Sequence, residues 1–445
     1  RSETGHRRRP TFWKFFENPW TGRAGDGVFT QEEWVRYGDE LRRPLHIAED
    51  LPKSDRVFVV GAGLSGLTIA YRIASKRPDV SVVLLEKGRD YGGTIETWQQ
   101  DEWLCDVAVN AARPHPAFWR LVEDLGLAST FLPSNPNASN RWISSGGKTT
   151  KLTPWSVLKK GPFKLLRGVR TGRKGKMSVA EVFPFPGVAD AMTLGIVNDV
   201  SANVDADFLM PSITRFGASP PQKWSTIKRR MQRSYPLFAP EPGSTASFVG
   251  GMQTLVDRLV ERLGQLDNVE VNFGVDVDSP HSLAEAKGVP VSSVVWCAPL
   301  GRPPEHFTHL DVYAVGYSNA DTANVAAGYG TLIPDSTSPI SGVLHESDVH
   351  ASPRAPAGHR LFRLMAPHAR KATEASVKAS LKKVLCEAEP VLFEKIGERR
   401  IPCYPSGYMA SLDVHQPAFT RAGWFYSGVS VTHVVAEAER IGARF

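Results

Sequence analysis

Residues 57–70 read VFVVGAGLSGLTIA: an apolar run, three glycines spaced G-x-G-x-x-G, and a second apolar run. Arg56 to Val60 have the composition of a short buried strand, and Leu67 to Ser75 that of a helix. Val80 to Leu85 then form a second β-branched strand ending in Glu86, 20 positions beyond Gly66. This βαβ unit has the arrangement of a dinucleotide site. Gly61 makes the tight turn, Gly63 lets backbone approach a pyrophosphate, and Gly66 lets helix and strand pack closely. The helix N-terminus, Ser65 included, offers unpaired N–H groups to phosphate. Glu86 is placed to accept hydrogen bonds from ribose hydroxyls. A loop that keeps its glycines for packing and binds nothing is the alternative.

A second pair, Gly92-Gly93, follows Glu86 closely. It favours FAD over NAD, because in flavoproteins of this type the chain wraps back over the cofactor there. The expected fold is therefore α/β, an FAD-binding Rossmann-like domain of the glutathione-reductase type.

The 445 residues suffice for two or three domains, and 42% hydrophobic with 22% charged residues marks an ordinary globular chain. No apolar run approaches the ~18 residues needed to cross a bilayer. Cys105, Cys297, Cys386 and Cys403 form no C-x-x-C pair, which reads as four free thiols in a reducing compartment. The first residue is Arg1, as after processing or trimming, a removed organellar targeting peptide being one explanation.

The net charge of +7 is concentrated between Lys159 and Lys176, where eight Lys and Arg occur without an acid; the rest of the chain carries −1. Phe163, Leu165, Leu166 and Val169 are interleaved with them, a mix suited to an anionic membrane surface or to a solvated basic loop. No nucleic-acid recognition motif accompanies the charge, so nucleic acid is not an expected partner.

Beyond the glycine loop, seven stretches occur in one order: NAARPHPAFWRLVEDLGL, NRWISSGGKTTKLTP, KMSVAEVF, TASFVGGMQTLVDRLVERL, GYGTLIP, GVLHESDVHASPRAP and IPCYPSGYMASL. The fourth reads as strand, Gly-Gly turn and helix, with Met252, Leu255, Val256, Leu259 and Leu263 on one face. From about residue 55 onward the series resembles the protoporphyrinogen oxidases of the flavin amine oxidase superfamily.

That resemblance implies a discontinuous FAD domain from 54–112, 245–300 and 412–445. A helical, membrane-facing part would occupy 113–244, and an α+β substrate domain would place its sheet at 301–411. It implies oxidation of a porphyrinogen, with electrons passing in pairs to FAD and on to oxygen, at an organellar membrane in a plastid or mitochondrion. Arg141 falls where the family anchors a propionate, a role that suits forked guanidinium–carboxylate pairing. Asn110 matches the asparagine of a G-x-N stretch whose glycine is here Ala108. Leu332 and Leu344 fall on positions that sandwich the substrate ring, and Met365 on the aromatic that stacks on it. Val277 falls where backbone contacts adenine, and Gly428 with the amides after it would cap the flavin. No catalytic acid or base is assigned.

Four departures favour a second reading, an oxidase-like fold recruited as an accessory subunit of a membrane complex. Asp90 stands where the family has arginine, and Met365 has no π face. The stretch NDVSAN brings Asp199 and Asn203 to a glycine-rich floor. The C-terminal stretch GWFYSGVSVTHVVAEAERIG runs from strand to helix almost directly, without the family's acidic or amide step.

HESDVH, from His345 to His350, has H-E-x-x-x-H spacing in a strand-like context and is not read as a zinc motif, so no metal is expected. Residues 1–53 lie outside the resemblance: RRRPTFWKFFENPWTG is basic and aromatic, and Thr30 with Glu33 is spaced for a capping box. Such an arm folds back on its own body or docks on a protein partner.

Overall fold

The computed structural model describes residues 45–113, 115–153, 161–214, 216, 245–299, 306–412, 417–428 and 430–445. The aromatic stretch of the N-terminal arm, its capping box, Lys159 and Lys160 lie outside the described residues.

The glycine-loop unit forms the middle of a five-stranded, all-parallel sheet. Its spatial order is Thr420–Arg421, Val294–Trp296, Arg56–Val60, Ser81–Glu86, Val269–Phe273. Three separated stretches of chain thus supply one sheet. Parallel sheets are covered on both faces, and alternation along each strand feeds the two sides. Val57, Val59, Val82 and Leu84 enter the largest core, while Phe58, Val60, Val83 and Leu85 pack with Leu283 and Ala284 of the helix Pro280–Lys287. The large core also takes the helices Leu64–Lys76, Gln253–Leu263 and Val431–Gly442. Met252, Leu255, Val256, Leu259 and Leu263 are all fully buried there.

The first helix begins at Leu64, three residues before the sequence expectation, because extended Gly63 is its N-cap and the glycine motif itself supplies the first turn. Residues from Leu45 onward also join this domain. His46 bridges Arg421, Ala48 N–H donates to Thr420 Oγ1 (3.1 Å), and Leu51 is buried.

A second, seven-stranded mixed sheet runs Leu392–Cys403, His306–Ser318, His359–Pro367, Gly342–Leu344, Gly330–Leu332, Arg141–Ser145, Lys148–Lys151. One face buries Val315, Phe362 and Leu364 under Val377 and Leu381 of the helix Glu374–Val384. The other meets the hairpin Thr97–Gln100/Trp103–Asp106, through Trp103, Cys105 and Val107 against Val312, Ala314 and Leu361. The stretch 113–244 contributes helices and, in Arg141–Ser145 and Lys148–Lys151, two strands of this sheet.

The helix Pro162–Gly172 seats Gly168 and Gly172 on the Val179–Val182 turn; a Cβ on Gly168 would lie 2.2 Å from Val182 O. Phe163 and Leu166 stand 83% and 59% exposed. Among the described residues no helix is long and apolar enough to cross a membrane. All four cysteines are free thiols.

Candidate dinucleotide and substrate site

Gly61 turns the chain with φ +103°, and its N–H donates to Leu85 O (2.7 Å). A Cβ on Gly66 would stand 1.9 Å from Gly61 O, so the close strand–helix approach requires glycine. Gly63 pairs with Gly92 in a parallel bridge, and Gly92 N–H donates to Ala62 O (2.8 Å). A Cβ on Gly93 would lie 3.1 Å from Gly63 Cα. Two side-chain-free ribbons therefore meet at the helix N-terminus. The first helical bond is Leu67 N–H to Gly63 O (3.0 Å), so the N–H groups of residues 64–66 precede the ladder.

Glu86 closes one side of this loop, accepting from Ala62 N–H (2.6 Å) and Gly88 N–H (2.8 Å). The buried Ser65 hydroxyl faces Cys297 Sγ (3.8 Å), whose thiol burial pushes up to about 12. Gly274 and Val275 N–H groups bond to Gly88 O and Glu86 O, which sets half-buried Val277 beside the end of the Glu86 strand. The Asp90 carboxylate accepts from Tyr91 N–H (2.8 Å) on its own exposed loop.

At the C-terminus a short helix, Trp424–Ser427, intervenes between strand and final helix, so the passage is less direct than the sequence reading holds. Gly428 has φ +103°, and Ser430 caps the final helix through Thr432 N–H (3.3 Å). Thr432 Oγ1 donates to Arg113 O (3.2 Å), which brings this helix start against the segment after Asn110.

The large sheet gathers the other named residues. Leu332 lies opposite Gly342, and Gly342 opposite Met365. A Cβ on Gly342 would be 3.0 Å from Met365 Cε and 3.3 Å from Leu332 Cδ2, so these two side chains meet over it. Leu344 is two positions along, between Gly330 and Arg363, and Gly330 pairs with Arg141. Side chains alternate with period two, so Arg141, Leu332, Leu344 and Met365 share one face. Gly195, on the helix Pro186–Val197, lies over Leu332 (3.4 Å from its Cδ1 to a Cβ on the glycine). Asp199, beyond left-handed Asn198, accepts from Val200 N–H (2.6 Å) and Asn203 Nδ2 (3.0 Å). Arg141 Cζ stands 4.6 Å over the Tyr329 ring, and Tyr329 OH donates to Asn110 Oδ1 (3.4 Å). Asn110 thereby joins the nucleotide domain to the sheet.

Sequence reasoning passes over Tyr329, Arg363 and Glu346. Arg363, 4% exposed, lies on the same sheet face. Its Nη1 donates to Asp106 O and to Ala108 O (3.0 Å), and its Nε is 3.0 Å from Glu346 Oε1. His350 Nε2 is 2.8 Å from Glu346 Oε2. Burial pushes the Glu346 carboxyl up, but Arg363 and His350 outweigh it and hold it at about 2. Burial raises Asp106, which accepts from Thr97 Oγ1 and Met252 N–H (both 2.7 Å) and lies 3.8 Å from Arg354 Nη1. The available signal is the charge at an inward position of HRLFRLMAP, an otherwise apolar strand.

HESDVH is not strand-like: Glu346–Val349 is a short helix, and His345 Nδ1 bonds to Asp348 (3.1 Å) while His350 bonds to Glu346. Elsewhere Asp311, His368 and Glu398 converge on the sheet surface, with Lys395 Nζ 2.7 Å from Asp311.

Residues 59–125 match the NAD(P)-binding Rossmann-like domain family. Solved structures with the same fold include a protein assigned as a protoporphyrinogen oxidase from Exiguobacterium (TM-score 0.58, 18% identity, covering 87% of this chain and 98% of that one). Reduced UDP-galactopyranose mutase aligns with TM-score 0.58 at 15% identity (86% and 94%), and putrescine oxidase bound to putrescine with 0.53 at 15% (87% and 98%). The fold is thus shared with these proteins, an α/β body around a Rossmann-like dinucleotide domain. In sequence the chain is related to chloroplastic protoporphyrinogen oxidase 1 of Arabidopsis thaliana, 32% identical over 92 residues (20% of this chain, 17% of that protein). The Spinacia oleracea protein is 31% identical over 119 residues (25% and 21%). The match spans about a fifth of the length of these curated relatives.

Proposed function

We propose that the chain is an FAD-dependent oxidase of the protoporphyrinogen oxidase type, acting on a porphyrinogen that carries carboxylates. One observation carries this reading: the sheet register collects Arg141, Leu332, Leu344 and Met365 on one face, linked to the dinucleotide domain at Asn110.

The residues fit the cofactor. The ribbons at Gly63 and Gly93 meet where a side chain would intrude, and the helix N-terminus behind them suits a pyrophosphate. Glu86, at the loop's edge, suits ribose hydroxyls. Bound FAD would supply a two-electron acceptor that oxygen re-oxidises. The chain's own task is to orient a macrocycle. Leu332, Leu344 and Met365 give it an apolar wall, and Arg141 gives its carboxylate a cation. Among the described residues Arg141 forms no ion pair with an acid, so its charge is available.

The helix Pro162–Gly172, with Phe163 and Leu166 outward beside Lys164, Arg167 and Arg170, would lie on an anionic membrane surface, a suitable source of an apolar substrate. The chloroplastic relatives favour a plastid.

The decisive measurement is the visible spectrum of the purified protein and of the supernatant after denaturation. The expected result is oxidised flavin at about one FAD per chain. A protein that stays colourless with added FAD overturns the oxidase reading and leaves the accessory-subunit reading in its place.

A further inference from the structure

We propose that Tyr329 is the positioning residue that ties the anion-binding end of the site to its dinucleotide end, with its ring holding Arg141 and its hydroxyl holding Asn110. The inference rests on the functional reading above and adds a residue that reading does not require.

The tyrosine is itself fixed at both backbone groups. Its N–H donates to Asn140 O (2.8 Å), and its carbonyl accepts from His345 N–H (3.0 Å). From that anchored position the two parts of one side chain serve two partners. The ring lies 4.6 Å from Arg141 Cζ, within cation–π range. A long guanidinium side chain otherwise samples many rotamers, and the ring face restricts them without neutralising the charge. An incoming carboxylate therefore meets a cation that is both oriented and unspent.

The hydroxyl acts on Asn110, which is 8% exposed. A carboxamide offers one acceptor oxygen and one donor nitrogen. The phenol donates to Oδ1 (3.4 Å), and in that orientation Nδ2 faces away from Tyr329. Among the described residues that Nδ2 is buried without a hydrogen-bond partner. A buried donor without an acceptor is costly, and a ligand acceptor removes the cost. On the backbone side, Arg363 clamps Ala108 O two residues earlier, so the segment that carries Asn110 is held from the same sheet at the Ala108 carbonyl and at the Asn110 side chain. Loss of the phenol hydroxyl releases the carboxamide from its one side-chain partner on the sheet, while loss of the whole ring also frees Arg141.

The two halves of the side chain can be separated by experiment. Single and paired variants of the full-length protein are compared by denaturant midpoint without ligand, by the dissociation constant for protoporphyrin IX, and by turnover. Tyr329→Phe keeps the ring: affinity stays within about twofold of wild type while kcat falls on the order of tenfold at little-changed KM. Tyr329→Leu removes both functions: affinity falls on the order of tenfold, and the double variant with Arg141→Ala binds no more weakly than Arg141→Ala alone. Without ligand, Tyr329→Phe combined with Asn110→Ala unfolds no earlier than the worse single variant. Wild-type affinity in Tyr329→Leu, additive losses with Arg141→Ala, or additive midpoint shifts with Asn110→Ala each overturn the proposal. Wild-type protein that binds neither FAD nor protoporphyrin IX overturns the functional reading instead, and the ligand-free midpoints still decide whether Tyr329 couples to Asn110.

Discussion

Arg141 and Arg363 stand on one face of one sheet, three strands apart, and do opposite things with the same charge. Arg141 is half-buried, lies on an aromatic ring, and forms no ion pair with an acid among the described residues. Arg363 is buried, paired with Glu346, and bonded to the carbonyls of Asp106 and Ala108. The first has charge to offer a ligand; the second has spent its charge in holding the nucleotide domain to the sheet. Sequence type does not separate these roles. Burial and the presence of a carboxylate do, because a buried guanidinium without a partner is not sustainable.

The largest effect that should separate the two ends is on stability. Arg363→Met leaves Glu346 buried beside fewer positive charges and should cost about 3–5 kcal/mol in denaturant unfolding. Adding Glu346→Gln should recover much of that loss, since replacing both partners is often close to neutral. A single variant within about 1 kcal/mol of wild type would erase the contrast with Arg141.

Acid should break the same end. Glu346 is held at about 2 against its ordinary 4.5, so its stabilisation is complete above about pH 4.5 and is lost as pH falls toward 2. A depression of that size corresponds to about 3 kcal/mol. Glu346→Gln should flatten that acid limb of stability against pH, and an unchanged limb would show that the pairing contributes nothing.

Arg141→Ala should do the reverse of Arg363→Met. Stability should stay within about 0.5 kcal/mol, while binding of a carboxylated tetrapyrrole weakens by about 1.5–3 kcal/mol. Normal affinity with lowered stability would exchange the roles of the two arginines.

The smallest expected change lies off the sheet. Phe163→Ser with Leu166→Ser removes exposed apolar surface, so stability should move by less than about 0.5 kcal/mol. Sedimentation with vesicles containing anionic lipid should nevertheless fall. Unaltered sedimentation would assign any membrane contact to another surface.

The dinucleotide half was readable because its signals are local. The glycine spacing, two β-branched strands and Glu86 fall within 31 residues, and each constrains its neighbours sterically. The helix Gln253–Leu263 was readable for the same reason, its apolar face recurring at helical spacing. The strand-like context of HESDVH is not borne out, because six residues with Val349 as their one apolar side chain do not distinguish a strand from one helical turn. The Arg363–Glu346–His350 group was missed because no local rule says which acid a buried arginine will meet.

The sequence alone therefore determined the Rossmann-like unit, the placing of its glycines and the apolar character of the strands around it, since those depend on short-range sterics and periodicity. Only the tertiary structure decided that Arg141, Tyr329 and Asn110 are one group and that Arg363 is a clamp. Strand register across nearly two hundred residues of intervening chain sets which side chains share a face, and a slip of one residue would turn each of them to the other side.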